Sequence, residues 1–111
     1  MIETFLMMSA AHYLADYPLQ GDFVARMKGQ PNADGIHTLI AHAAIQGLVV
    51  GLAAQYRGMS WLAVFVAIGV THWCIDYGKA RLGWYGLHVD QELHMAVIAS
   101  LVVGTWLVGG A

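Results

Sequence analysis

Four apolar stretches, most of them nearly long enough to cross a lipid bilayer, constrain this chain more than any other feature. They are residues 2–17, 36–56, 59–80 and 89–108. A membrane-spanning helix needs about 20 mostly apolar residues. The last three stretches approach that length, and the first is shorter. We therefore predict an all-α protein, a single integral membrane domain over residues 1–111, in which four transmembrane helices form a bundle.

The composition favours a membrane protein over a soluble helical bundle. Hydrophobic residues make up 59% of the chain and charged residues 11%, against about 45–50% and about 25% in soluble domains. A soluble bundle would need polar outer faces, which stretches such as GLVVGLAA lack. The net charge of −2 and the lack of a basic patch in the sequence argue against nucleic-acid binding.

The basic residues predict the orientation in the membrane. Arg26, Lys28, Lys79 and Arg81 lie near the first and third connections, whereas the opposite side carries only Arg57. Cytoplasmic loops carry an excess of Lys and Arg. We therefore expect a multi-pass protein of the bacterial inner membrane, with loops 1 and 3 in the cytoplasm and both termini outside.

Turn-forming and small residues predict local features of the bundle. Pro18 should end the first helix, and Asp34 is a candidate cap for the second. Residues 21–28 are compatible with a short helix at the membrane interface or with a polar loop. Glycines allow helices to approach closely; the candidates are Gly47, Gly51, Gly69 and Gly104.

A seven-residue pattern occurs twice in the chain. Residues 11–17 read AHYLADY and residues 71–77 read THWCIDY, each with a His and an Asp four positions apart. Residues so spaced share one helix face. The first and third predicted helices run in the same direction. The repeat therefore predicts two helical hairpins related by a parallel pseudo-twofold axis along the membrane normal.

Each predicted helix carries one polar pair toward its cytoplasmic end. The pairs are His12 and Asp16, His42 and Gln46, His72 and Asp76, and Asp90 and His94. An ionisable residue in the bilayer is costly, by about 2.5–3.5 kcal/mol for Asp on insertion scales. Such residues persist where they face a cavity or one another. In isolation, one such pair is most simply a hydrogen-bonded lock between helices.

Four pairs at one level indicate a metal site instead. Imidazole and carboxylate are ligands for divalent transition metals, and helix bundles hold one or two ions with such side chains. We predict a site for one or two divalent ions, with zinc as the first choice. The predicted ligands are His12, Asp16, His42, His72, Asp76, Asp90 and His94. Asp16, Asp76 and Asp90 are also the candidate catalytic residues.

Further polar residues lie close to these ligands in the sequence. His37 precedes His42 by five residues and is expected at the rim of the site, with Gln46 near the ligands. Lys79 and Arg81 are topology signals that would also suit an anionic headgroup or phosphate.

Four motifs follow one another along nearly the whole chain. They are HYLADYPLQ, IAHAAIQG, HWCIDYGK and DQELH. Together they resemble the small bacterial and phage membrane proteins of the family called domain of unknown function 3307. The resemblance implies an integral membrane fold and adds Gln20 and Gln91, with Lys79, to the polar positions. Members of that family often have a second His where Gln46 stands, which implies a weaker contribution of ligands from helix 2 here.

Three functions are compatible with this site. The first is an intramembrane metal-dependent hydrolase that acts on a lipid or other amphiphile at the cytoplasmic leaflet, with a metal-activated water and a carboxylate base. The second is a metal or proton transporter or channel, which needs a polar route to the outer side; the sequence offers little for one within a single chain, although a homo-oligomer could build it. The third is a structural or regulatory phage-type membrane protein, whose polar layer only locks the helices together.

Overall fold

The computed structural model describes residues 1–109 and consists of helices joined by short connections. The helices are α1 (Ile2–Asp16), α2 (Gly21–Met27), α3 (Ala33–Tyr56), α4 (Trp61–Ala80) and α5 (Leu87–Gly109). The all-α class is confirmed, since the described residues contain no strand. The molecule is elongated, 44 × 22 × 20 Å. The last two residues of the predicted domain, 110–111, lie outside the described residues.

Among the described residues, three helices, and not four, are long and apolar enough to cross a membrane. They are α3, α4 and α5. The prediction of four spans was wrong for α1, which has only 15 residues. At 1.5 Å per residue this helix is about 22 Å long, less than the bilayer hydrocarbon thickness of about 30 Å. The pseudo-twofold relation between the two hairpins stays a prediction.

Side-chain caps fix where two of the long helices begin. Asn32, and not Asp34 as predicted, caps α3, because its Oδ1 accepts a hydrogen bond from the Gly35 amide at 2.9 Å. Ser60 caps α4. Helix α1 ends at Asp16, two residues before Pro18, in keeping with the inability of proline to continue a helix. Residues 21–27 form the helix α2, and its place at the membrane interface stays a prediction.

Two glycines set the close approach of α3 to α4. A Cβ atom at Gly47 would lie 2.6 Å from the carbonyl oxygen of Phe65, and one at Gly51 would lie 2.9 Å from another backbone oxygen of α4. Neither distance is tolerable, so these positions require glycine. The same prediction was wrong for Gly104, where a Cβ would meet nothing within 4 Å, and at Gly69 the nearest atom is at an ordinary 3.7 Å.

The interior of the bundle has an apolar half and a polar half. The apolar half is a cluster of buried residues: Met8, Val50, Ala54, Val64, Ile68, Ile98 and Val102. The buried residues of the polar half, called the polar layer below, are His12, Asp16, Lys28, His42, Gln46, His72, Asp76, Asp90 and His94. Many large apolar side chains point outward instead, Ile40, Leu48 and Val66 among them. A lipid environment accommodates such a surface.

Candidate metal centre

Four helices bring all seven predicted ligand residues into the polar layer. Helix α1 supplies His12 and Asp16, α3 supplies His42, α4 supplies His72 and Asp76, and α5 supplies Asp90 and His94. Each of these residues is at most 7% exposed. The i, i+4 spacing aligns His and Asp on α1, α4 and α5, with imidazole-to-carboxylate distances of 3.5, 3.4 and 3.5 Å.

Four side-chain atoms from α1, α3 and α4 lie close together. These atoms, called the four-atom set, are Asp16 Oδ1, His42 Nε2, His72 Nε2 and Asp76 Oδ2. Ligand atoms of these four residues lie within 4.8 Å of one another. His42 Nε2 is 3.0 Å from His72 Nε2, 3.2 Å from the Asp16 oxygen and 3.4 Å from the Asp76 oxygen. His72 Nε2 is 3.7 and 3.4 Å from the same two oxygens.

The spacing within the four-atom set fits tetrahedral coordination. Zinc binds imidazole nitrogen and carboxylate oxygen at about 2.0–2.2 Å, so that neighbouring ligand atoms in a tetrahedral site are about 3.3–3.5 Å apart. The five distances above bracket that value. Two imidazole nitrogens and two carboxylate oxygens at these distances are a donor set that zinc accepts.

The other two histidines lie beside the four-atom set. The His94 Nε2 atom is 3.2 Å from Asp76 Oδ1, and the His12 Nε2 atom is 3.5 Å from Asp16 Oδ2. The rings of His72 and His94 are stacked, with centroids 4.1 Å apart. The layer thus continues past the first group of ligands toward α5.

Lys28 is the site residue that the sequence did not single out. It was predicted only as a topology signal, yet it is 6% exposed. Its ammonium donates to Asp76 Oδ2 at 2.9 Å and to Gln20 Oε1 at 2.5 Å. Lys28 follows directly on α2, whose position next to α3 carries the lysine over the layer. The only sequence signal for it was the excess of predicted buried carboxylates over cations.

The predicted supporting residues fall into two groups. Gln20 accepts from Lys28, the Gln46 side chain donates to the His12 carbonyl oxygen at 3.1 Å, and Lys79 lies 3.5 Å from Asp90. By contrast, the His37 side chain is exposed. The Arg81 guanidinium lies 5.4 Å from the ring centroid of Tyr77 and has no polar contact with the layer.

Gln91 connects two of the carboxylates and one imidazole. Its amide nitrogen donates to Asp16 Oδ2 at 2.6 Å and to Asp90 Oδ2 at 3.3 Å. Its Oε1 lies 3.0 Å from His12 Nε2. A glutamine is suited to this position because it offers both a donor and an acceptor.

Tyr85, in the connection between α4 and α5, fastens the end of α4 near the site. Its hydroxyl donates to the Ile75 carbonyl oxygen. Burial raises the pKa of Tyr85 above its ordinary value, and the nearby Asp90 and Asp76 carboxylates add to this shift. The hydroxyl is therefore protonated at neutral pH and available as a donor. A Cβ at Gly78 would collide with this ring, 2.7 Å from its hydroxyl oxygen.

The buried charges of the layer leave it negative. Asp16, Asp76 and Asp90 contribute three carboxylates, and Lys28 contributes one buried ammonium. Lys79 adds a second ammonium at the edge, where its side chain is 28% exposed. Among the described residues, three polar atoms of the layer are buried without a hydrogen-bond partner: Gln46 Oε1, His72 Nδ1 and Asp90 Oδ1. Unsatisfied buried groups of this kind often mark a place for water or an ion.

Comparison with known proteins gives a family and no activity. The family model described as "Protein of unknown function (DUF3307)" matches residues 4–110. No curated protein and no solved structure matches the chain.

Proposed function

Because the chain belongs to the DUF3307 family, whose description assigns no activity, we propose a function from the site itself. The protein is an integral membrane protein that holds a divalent metal ion in the four-atom set. It uses this ion to hydrolyse a lipid or another amphiphile at the cytoplasmic leaflet of the bacterial inner membrane. The near-tetrahedral spacing of the four buried donor atoms carries this proposal.

The charge and the donor types support zinc as the ion. Among divalent metals, zinc combines imidazole and carboxylate ligands in a tetrahedral site without any geometric preference of its own. A divalent ion also offsets the two negative charges that remain in the buried layer after Lys28 is counted. Buried carboxylates without a cation would otherwise be destabilised.

The outer surface and the basic residues support the membrane location and its orientation. Helices α3, α4 and α5 are each long and apolar enough to cross the bilayer. Lys28 and Lys79 lie at the same end of the bundle as the polar layer. By the positive-inside rule this end faces the cytoplasm, and the lipid bilayer itself is the principal partner. Helix α1 would reach only part of the way across.

A groove between α1 and α5 favours the proposal that the substrate is amphiphilic. Its lining residues are Phe5, Tyr13, His88, Gln91, Glu92, Met95, Ala96 and Ala99, and its volume is about 490 Å³. One end is apolar, which suits an acyl chain. The other end reaches Gln91, which contacts His12 and Asp16 of the layer. A lipid could therefore approach the site sideways from the membrane.

The residues around the proposed metal can supply the separate groups that hydrolysis needs: a nucleophile, a proton acceptor and a group that binds the substrate. A divalent ion held by the four-atom set would lower the pKa of a bound water and so supply the nucleophile. Asp90 stands outside the four-atom set, and its buried Oδ1 has no hydrogen-bond partner among the described residues, so it is the candidate proton acceptor. Lys79, partly exposed beside Asp90, is placed to bind an anionic group of the substrate.

A transporter has less support from the interior of the bundle. A transported ion needs polar groups along its whole path. In the half of the bundle opposite the layer, the described core is the apolar cluster around Val50, Val64 and Ile98. A route through a single copy of the chain would have to cross that cluster.

The metal content of the purified protein tests the proposal. We expect zinc to remain bound to the wild type after gel filtration, and to be lost from the double variant His42→Ala with His72→Ala. The control is His37→Ala, which changes an exposed histidine that does not line the groove between α1 and α5. A folded double variant that keeps its zinc, or a wild type that binds none, contradicts the metal centre.

Hydrolysis is tested separately with zinc-loaded protein in detergent micelles. The probes are a chromogenic long-chain acyl ester and a chromogenic long-chain phosphodiester. We expect turnover of one of them by the wild type and by the His37→Ala control, and none by the double variant. If zinc is bound and neither probe is turned over, the hydrolase part of the proposal is lost while the metal centre stands.

A further inference from the structure

We propose that the polar layer contains a second metal position, which shares the carboxylates of Asp16 and Asp76 with the first. This inference rests on the proposed function, because the four-atom set is the first position. The second position lies on the α5 side of the first. Its donor atoms are His12 Nε2, His94 Nε2, Asp16 Oδ2 and Asp76 Oδ1. The Gln91 side chain, which lies 3.0 Å from His12 Nε2 and 2.6 Å from Asp16 Oδ2, must turn away for this ion to bind.

The two oxygens of each shared carboxylate face different histidines. Asp76 Oδ2 lies 3.4 Å from both His42 and His72, whereas Asp76 Oδ1 lies 3.2 Å from His94. A carboxylate placed between two sets of ligands in this way can give one oxygen to each of two ions.

Asp16 shows the same division. Its Oδ1 atom is 3.2 Å from His42 and 3.7 Å from His72, and its Oδ2 atom is 3.5 Å from His12. Each carboxylate therefore has one oxygen in the four-atom set and the other oxygen beside a histidine outside it. Two carboxylates with this arrangement define a pair of neighbouring positions, with two histidines at each.

Two overlapping groups of side chains lie around the second position. Ligand atoms of His12, His72 and His94 lie within 4.8 Å of one another, and so do those of Asp16, Asp90 and His94. Atoms bound to one zinc ion can be no more than about 4.4 Å apart, twice the longest bond. Binding of one ion by all four donor atoms therefore requires these side chains to move closer together.

Asp90 supplies an independent observation at the same place. It is 1% exposed, and its Oδ1 atom has no hydrogen-bond partner among the described residues. That atom is 3.5 Å from His94 Nε2. A buried oxygen left without a donor is costly unless a cation is near. A second ion would lie next to Asp90 and bring the metal within reach of the proposed proton acceptor.

Charge sets the order in which the two positions fill. Three buried carboxylates and the Lys28 ammonium leave two negative charges, which one divalent ion neutralises. A second divalent ion makes the layer positive. It should therefore bind more weakly than the first, by about tenfold or more. Replacing Lys28 by Met removes one buried positive charge and should tighten binding of the second ion.

A cobalt titration tests the second position. Co²⁺ accepts the same ligands as zinc, and it is paramagnetic, so that two ions joined by carboxylates couple magnetically. We expect the metal-free wild type in detergent to bind two Co²⁺ ions in two steps. The first ion alone should give the electron paramagnetic resonance signal of an isolated ion, and addition of the second should weaken that signal.

Variants separate the two positions. His94→Ala should retain one ion with an isolated signal, and Lys28→Met should bind the second ion more tightly than the wild type. Saturation of the wild type by one ion, or two ions without coupling, overturns the second position and leaves the proposed function intact. Failure to bind even one ion overturns the proposed function. The wild-type titration decides the matter even if a variant fails to fold.

Discussion

The same helices build two unlike interiors at the two ends of one bundle. Toward one end they bury aliphatic side chains such as Met8, Val50 and Ile98. Toward the other they bury imidazoles, carboxylates and a lysine. The helix faces are continuous from one end to the other, since His72 follows Ile68 by one turn and His94 precedes Ile98 by one turn.

The contrast between the apolar half and the polar layer suggests that packing and function are assigned to different ends of the bundle. In the bilayer proposed for this protein, lipid tails are as apolar as the aliphatic core, so burial there gains little and association depends on close packing. Gly47 and Gly51 supply such packing between α3 and α4. In the polar layer every charge depends on its partners, because lipid supplies none. The apolar half therefore fixes the helix positions, and the polar layer is the proposed site of the chemistry.

The largest expected effect is in the polar layer, at Asp76. Its carboxylate contacts Lys28 and three imidazoles, so Asp76→Ala leaves a buried ammonium with only the uncharged Gln20 as a partner. Loss of one member of a buried pair costs about 3–5 kcal/mol, which denaturant unfolding in detergent micelles would measure. Adding Lys28→Met to the Asp76→Ala variant should restore part of the lost free energy of unfolding. The control is Asp22→Ala, at an exposed position of α2. If Asp76→Ala lost no more stability than this control, the buried charges of the layer would not depend on one another as described.

The next largest effect is expected in the apolar half, where it tests whether close packing holds α3 against α4. Gly47→Ala places a methyl group against the Phe65 carbonyl oxygen and should separate α3 from α4, at a cost of about 1–3 kcal/mol. The matched control, Gly104→Ala, meets nothing within 4 Å and should be neutral or slightly stabilising, because alanine favours helix. Thermal unfolding of the two variants in one detergent compares them. Equal losses would show that the glycines do not set the helix spacing.

A smaller loss is expected from trimming the apolar core. Ile98 is 1% exposed, and Ile98→Val should cost about 0.5–1.5 kcal/mol through lost contacts. Val70→Ala, on the outward face with 59% exposure, should cost less than about 0.5 kcal/mol. The same unfolding assay serves both variants. A larger loss at Val70 than at Ile98 would mean that the core has been assigned to the wrong faces.

The smallest effect is expected at the end of the bundle away from the polar layer. Arg57 donates to Glu3 at 2.9 Å, but the two side chains are 32% and 75% exposed. An exposed pair of this kind contributes about 0.2–1 kcal/mol. A double-mutant cycle with Arg57→Gln and Glu3→Gln measures its coupling energy. If the coupling energy of Arg57 and Glu3 were as large as that of Asp76 and Lys28, the exposed and the buried ion pairs would not differ in strength as we expect.

The spacing of polar residues along each helix predicted most of the polar layer. The remaining part depends on how segments distant in the sequence pack together. The i, i+4 spacing of His12 with Asp16, and of His72 with Asp76, predicted shared faces because it depends only on helix geometry. Lys28 escaped prediction, since its burial depends on where α2 folds back after Pro18. The four-span prediction failed because α1 is apolar but too short to cross the bilayer. The sequence already showed that length, and the error was to count so short a stretch as a span.

The coordination of zinc in the purified protein tests the central claim most directly. X-ray absorption at the zinc edge, recorded on one equivalent of zinc per chain in detergent, reports the identity and distance of the bound atoms. We expect a shell of nitrogen and oxygen at about 2.0–2.1 Å with the outer-shell signature of two imidazoles, from His42 and His72. A shell of oxygen alone, or a spectrum unchanged in the His42→Ala and His72→Ala double variant, would contradict the metal centre.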